Sequence, residues 1–209
     1  IKSYQRAQEA QEKGYFKNGI IPLTNSKGDS IAMDEEPGKA NFEKIPLIKP
    51  VFEKDGTITA ANASKLNDGA AAVVLMSADS VEKHSLKPIA RILSHCSFAH
   101  DPKWFTTAPG KAIDKVLNKS GLSKQDIDLW EINEAFAAVT MAAIDDYNLD
   151  DTKVNIYGGA VALGHPIGAS GTRILVTLIN ALETMDKNIG LATLCIGGGE
   201  ASAMVIEKL

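Results

Sequence analysis

The chain has 209 residues, 44% hydrophobic and 23% charged, which is enough apolar material for one or two cores and excludes disorder. A formal net charge of −4 argues against a nucleic-acid surface, and no run of about 18 apolar residues is present that could span a bilayer. Cys96 and Cys195 stand far apart with no C-x-x-C pair, so they read as reduced thiols and not as a zinc site or a disulfide framework.

Ile1 to Lys13 favours helix with no capping residue before it, and the sequence is expected to open inside a helix that Gly14 stops. It has neither the apolar core of a secretory signal nor the acid-poor composition of a transit peptide. Ile20–Leu23 reads as a short strand entry, and residues 25–41 are polar and turn-rich. Lys39, Lys44, Lys49 and Lys54 then punctuate an apolar stretch that ends at Phe52; on their own they are solvated surface lysines. Thr57 to Ser64 is a strand-to-turn segment in which Ser64 suits a cap. Val73–Met76 is expected to be a buried strand from its continuous apolar character. Asp79–Leu86 predicts a helix, ended at Lys87-Pro88 before a strand over Ile89–Leu93, and a domain boundary is expected there.

Beyond that boundary, Pro109–Ser120 predicts an amphipathic helix with Ile113, Val116 and Leu117 on one face. Ile127–Ile132 alternates as a strand, and Glu134–Asp146 has helical spacing, which places Asn133 at a strand-to-helix junction. Val154, Ile156 and Tyr157 are strand-like, Gly158 to Gly171 is glycine-rich around His165, and Thr172–Met185 predicts a long helix. His165 is therefore expected where a strand hands over to a helix, beside free N–H groups that favour a neutral imidazole. Ile189–Leu194 and Ala201–Ile206 read as strands joined by a Cys195–Glu200 loop. Gly171-Thr172-Arg173 lacks the lysine of a P-loop, and a dinucleotide fingerprint starting at Gly197 and Gly199 fails at Ser202.

Singly, Asn133 is a helix cap, His165 a structural histidine and Cys195 a small buried apolar residue. As strand-end residues of an α/β fold they can converge on one side of a sheet, giving a hydrogen-bond donor, an imidazole and a titratable thiol.

Asn133-Glu134-Ala135-Phe136, the Gly158–Gly171 turn and Cys195-Ile196-Gly197-Gly198-Gly199 together resemble the three C-terminal signature blocks of the thiolase family. Asn62 to Ala72 is similar to the family's segment over the pantetheine of coenzyme A. The resemblance covers most of the chain and implies an α/β fold of the thiolase type, a duplicated layered α-β-α-β-α unit. The chain then corresponds to roughly the C-terminal half. Residues 1–65 would be part of the coenzyme A-binding loop domain, 66–87 the last segment of the N-terminal domain, and 88–209 the C-terminal domain.

What the resemblance implies is an acyltransferase: condensation of two acetyl-CoA to acetoacetyl-CoA, or thiolysis of a 3-ketoacyl-CoA, through an acyl-cysteine. Cys195 matches the family's base, His165 the activator of a separate nucleophilic cysteine, Asn133 the residue orienting an oxyanion-hole water, and Gly197 a second oxyanion-hole N–H. Cys96, in Ser94-His95-Cys96-Ser97-Phe98, matches no nucleophile motif, so the acyl carrier is expected outside these residues and the 209-residue chain alone is expected to be inactive. Coenzyme A contacts are expected from Phe52, Ala60, Ser64, Leu66, Phe105, Ala135 and Phe136, with Lys39 and Lys44 at its phosphates. Trp104 to Pro109 and Ala201 to Met204 most resemble acetoacetyl-CoA thiolases of the mitochondrial type, with Phe105 in the acyl pocket. That branch implies a mitochondrial matrix location, with the cytoplasm as alternative, and a homotetramer. It also implies potassium at the carbonyls of Ala60, Ala61, Ala63 and Val161, with a further tyrosine ligand before Ile1; no prosthetic group is expected, nor any nucleic-acid or membrane partner. Thr106 and Glu200 depart from the branch's usual residues and bear on acyl specificity.

Two other readings compete. A ketoacyl-synthase relative shares the fold but uses two histidines, or a histidine and an asparagine, without Cys195 in the glycine loop. A non-catalytic acyl-CoA or lipid-binding relative would not need Asn133, His165 and Cys195 intact.

Overall fold

The computed structural model describes all 209 residues. It opens on helix α1 (Lys2–Glu12), whose inner face buries Tyr4, Ala7 and Ala10. Gly14, at φ 72°, closes it: the Gly14 N–H donates to Gln11 O and the Tyr15 N–H to Ala10 O. A left-handed residue just past the last turn needs this freedom. A two-residue hairpin follows, β1 (Leu23–Thr24) against β2 (Ser30–Ile31), and then loops up to a short helix α2 (Ala78–Lys83) capped by Ser77.

Val73–Met76 forms no strand, and Val74 and Leu75 are 89% and 70% exposed. The expectation of a buried strand is corrected: an apolar run becomes a strand only where a neighbouring strand satisfies its N–H and C=O groups, and none among these residues does.

The remaining elements form one mixed sheet between helices. Its strands are β3 (Ala90–Ala99), β4 (Leu129–Ile132), β5 (Ile189–Ile196) and β6 (Glu200–Lys208), ordered β3-β6-β5-β4; only the β4–β5 pair is parallel. Helices α3 (Ala108–Ser120) and α4 (Ala137–Tyr147) lie on one face. There Ile113, Val116 and Leu117 of α3 pack with Trp130, Ile132, Leu191, Ala203 and Val205. Past the one-turn helix α5 (Ala160–Leu163), the long helix α6 (Ser170–Thr184) covers the other face. Its Ile174, Leu178, Ala181 and Leu182 pack with Leu129, Ala192 and Ile206. Side chains of one strand point alternately to the two faces, so a single sheet separates two cores.

Two boundaries moved. Residues 154–157 add no strand: Val154 makes one bridge to Trp130, then Asn155 turns left-handed at φ 47° and the chain leaves the sheet. His165 consequently sits between α5 and α6, not between a strand and a helix. Cys195 belongs to β5 and pairs with Ala201, so the β5–β6 turn is only Gly197–Gly199.

Candidate active site

The site is built where β4 ends. The Asn133 N–H donates to Thr193 O at 3.0 Å, prolonging the β4–β5 ladder by one residue. With Ile132 registered on Thr193, Asn133 aligns with Leu194, one residue short of Cys195, a step of about 3.3 Å along β5. The next side chain, Glu134, is buried and binds the surroundings together. Its Oε2 accepts from Ser3 Oγ at 2.7 Å and from the Val161 N–H at 3.1 Å, and its Oε1 accepts from Asn155 Nδ2 at 3.4 Å. A Cβ on Gly159 would come within 2.5 Å of that Oε2, so glycine is required there for close approach. Helix α1, the 155–161 turn and the end of β4 are thus fastened to one carboxylate.

His165 is held at both ring nitrogens. Nδ1 lies 2.5 Å from Ser170 Oγ, and Nε2 lies 3.3 Å from Asn133 Nδ2. Ser170 Oγ also donates to Pro166 O at 3.1 Å. A hydroxyl carries one proton, and a carbonyl can only accept it, so the proton on the 2.5 Å contact belongs to His165 Nδ1. Nε2 then carries the lone pair and accepts from the Asn133 amide. Burial, and after it the nearby Arg173 guanidinium, push the His165 pKa below its ordinary value. The imidazole is a neutral base at physiological pH.

The segment from Asn62 to Gly69 lies across this turn. Asn62 O accepts from the Ala137 N–H at 2.8 Å, Ser64 N donates to Ala135 O at 3.0 Å, and Lys65 O accepts from the His165 N–H at 2.9 Å. Leu66, Asn67, Asp68, His165 and Ile167 line an open cleft of about 470 Å³. A second groove, lined by Val73, Leu75, Ile92 and Leu194, holds none of Asn133, His165 and Cys195. Phe136 touches both Phe52 and Phe105 edge-on, with ring centroids 6.4 Å and 6.3 Å apart. Ser64, Leu66, Ala135 and Phe136 therefore adjoin the Asn133–His165 pair, and Phe52 and Phe105 join them through Phe136.

Cys195 is buried, and burial pushes its thiol pKa up. Gly197 is exposed at the tip of the hairpin that follows it. Cys96 belongs elsewhere: it sits in the α3-side core and its Sγ donates to Ala112 O at 3.3 Å. Lys44 is exposed, and Lys39 makes ion pairs with Glu36 at 3.1 Å and Glu35 at 3.8 Å on the surface. Neither lysine contacts the site residues. Ala60 O accepts from Lys65 Nζ at 2.8 Å.

The sequence profile described as "Thiolase, C-terminal domain" matches residues 86–208, and that described as "Thiolase, N-terminal domain" matches residues 1–79. The chain belongs to the thiolase family. It is 51% identical to the mitochondrial acetyl-CoA acetyltransferase of Rattus norvegicus over 214 residues, covering all of this chain and 50% of that protein. The acetyl-CoA acetyltransferase of Bacillus anthracis superposes with a TM-score of 0.96 at 44% identity, over all of this chain and 54% of the other. A thiolase of Ascaris suum in complex with coenzyme A gives 0.91 at 45% identity, with the same coverage. The fold is the α/β thiolase fold, and the chain spans about half the length of the relatives it matches.

In this thiolase chain, three site residues were missed from sequence. Ser170 could have been found, since it falls five residues after His165 at the start of a helix. Glu134 was quoted only as a neighbour of Asn133. Arg173 entered only in the exclusion of a P-loop, and its contacts with Asn133 and Glu131 are 40 and 42 positions apart, beyond any local pattern.

Proposed function

We propose that the complete polypeptide is a thiolase acting as an acetyl-CoA C-acetyltransferase. It would join two acetyl-CoA into acetoacetyl-CoA and coenzyme A, or run the thiolysis in reverse. The carrying observation is the Asn133–His165 contact, where an oriented imidazole with its lone pair on Nε2 meets a donor amide at the end of β4, the strand paired with the β5 strand that carries the buried Cys195.

His165 Nε2 takes the proton from a nucleophilic thiol, which attacks the thioester carbonyl and expels coenzyme A as its thiolate; that thiolate then takes the Cys195 proton and leaves Cys195 as the thiolate. That thiol is neither Cys96, which lies in the core, nor Cys195, so residues beyond these 209 supply it. Imidazolium Nε2–H then donates to the thioester oxygen. Asn133 Nδ2 has a second N–H free to hold a water at the same oxyanion. In the second half, the Cys195 thiolate removes an α-proton from acetyl-CoA, and the enolate carbon attacks the acyl-enzyme carbonyl. The thiolate of the nucleophile leaves, with the Gly197 N–H at the second developing oxyanion. Donors aimed at each oxyanion contribute several kcal/mol.

Coenzyme A is substrate and product, with no prosthetic group. Its pantetheine would lie on Ser64, Ala60 and Leu66 and against Ala135 and Phe136, with Phe105 bordering the acyl pocket and Phe52 further out. Lys39 and Lys44 would meet its phosphates, Lys39 only on leaving Glu36. Potassium fits poorly: of the carbonyls of Ala60, Ala61, Ala63 and Val161, that of Ala60 already faces the Lys65 ammonium. No step is assigned to it. The division at residues 65 and 87, a homotetramer and a mitochondrial location complete the reading; the last is supported by relatives named as mitochondrial.

The test is cleavage of acetoacetyl-CoA by the purified complete polypeptide with and without free coenzyme A. Turnover that requires coenzyme A is expected. Binding of acyl-CoA with no turnover would favour the non-catalytic alternative.

A further inference from the structure

Arg173 lies on α6 with its side chain 19% exposed, directed toward the end of β4. Its Nη2 is 3.5 Å from Asn133 Oδ1, its Nη1 is 3.8 Å from Glu131 Oε2 and 3.4 Å from Thr177 Oγ1, and its buried Nε has no partner. The guanidinium can only donate, so it takes the carbonyl end of the Asn133 amide. The amide's two N–H donors are then turned to the His165 side, one of them on Nε2. Were the amide reversed, its oxygen would face the Nε2 lone pair and repel it. Glu131 is 3% exposed and faces Arg173 from β4; burial raises its carboxyl to about 8, against the pull of Arg173. Glu134 is already saturated by Ser3, Val161 and Asn155.

We infer that Arg173 is a positioning residue: held by Glu131, it fixes the Asn133 amide with its donors toward His165. Its charge adds to the burial that already lowers the imidazole pKa. The inference rests on the thiolase reading above. It assigns a task to a buried cation that touches no substrate. The other charged and titratable groups around His165 are Glu131 and Glu134 at the end of β4, Lys65 and Asp68 in the 62–69 segment, and Cys195 at the end of β5.

The experiment compares Arg173→Lys, Arg173→Met and the charge-balanced pair Arg173→Met with Glu131→Gln in the complete polypeptide. The balanced pair guards against a variant that fails to fold because the buried Glu131 carboxyl has lost its partner. The His165 imidazole is titrated by NMR, assigned by its loss in His165→Gln, and kcat and KM for thiolysis are measured beside it. In the balanced pair the imidazole midpoint should rise and kcat should fall about 10-fold or more with little change in KM, as for a misplaced catalytic group. Arg173→Lys should keep the low midpoint while losing part of kcat, because it retains the charge but not the fork. In an Asn133→Ala background the kcat effect of Arg173 should largely disappear, the mark of residues acting as one unit. An unmoved midpoint, or an equal kcat loss without Asn133, overturns the inference. Absence of turnover in the wild type would instead defeat the thiolase reading, and the titration would still decide whether Arg173 controls the imidazole.

Discussion

Ser170 Oγ accepts the Nδ1 proton of His165 at 2.5 Å while donating its own to Pro166 O at 3.1 Å. One hydroxyl therefore selects which imidazole nitrogen is the base. A side chain that orients a base contributes through geometry, and its loss shows in kcat more than in KM.

Ser170→Ala is expected to lower kcat for acetoacetyl-CoA cleavage about 10-fold in the complete polypeptide, in the range typical of a lost catalytic orientation. KM should change little, and Ser170→Thr should recover part of the rate because the hydroxyl is retained. Steady-state kinetics on the two variants measure this. A full-rate alanine variant would leave Ser170 with no part in orienting His165.

Gly159→Ala should destabilise the fold. Its Cβ would fall within 2.5 Å of Glu134 Oε2, which also receives Ser3 Oγ and the Val161 N–H. Displacing the carboxylate strands donors that α1 and α5 depend on, at a cost of about 1–3 kcal/mol for each unsatisfied buried group. Urea denaturation should show a lower midpoint with unchanged slope. A midpoint within error of the wild type would mean that the turn yields without disturbing Glu134.

The local pattern carried a good deal of this. Helix α6 was legible from Ile174, Leu178, Ala181 and Leu182, and α3 from Ile113, Val116 and Leu117, because each lies with one face against the sheet. The pairing of Asn133 with His165 followed from the signature blocks, not from periodicity. What failed depended on partners. Val73–Met76 has a strand's composition but no ladder, and residues 154–157 carry strand-like side chains on a backbone that Asn155 bends away at φ 47°. Arg173 was illegible because a buried cation on a helix resembles a surface one until the carboxylate and amide it faces are placed in space.

His165 also makes stability depend on pH. Its native pKa is lowered by burial and then by Arg173, whereas in the unfolded chain it is about 6.5. Below that value the unfolded state binds a proton that the native state refuses, so stability is present above about pH 6.5 and is lost as pH falls through and below it. Chemical denaturation at pH 7.5 and pH 5.5 should show a drop in the wild type and a smaller one in His165→Gln. An equal drop in both would assign the acid sensitivity to other groups.

Cys195→Ser should separate the two half-reactions. Burial raises the Cys195 thiol pKa, so its thiolate, once formed, is a strong base for an α-proton; a serine hydroxyl ionises too rarely to replace it. Acylation depends on a different thiol together with the His165–Asn133 pair, which Cys195 does not contact through any hydrogen bond. In the complete polypeptide the variant should still trap an acyl group from acetyl-CoA, whose leaving group is a thiolate that needs no carbon protonation, visible as a mass increase of the intact protein. Condensation should fall by several orders of magnitude, since a general base alone contributes about 10²–10⁴-fold. Proton exchange at the acetyl-CoA methyl, followed by deuterium uptake, should disappear with it. If the acyl group is no longer trapped, Cys195 acts in the first half-reaction and the assignment of the base is wrong.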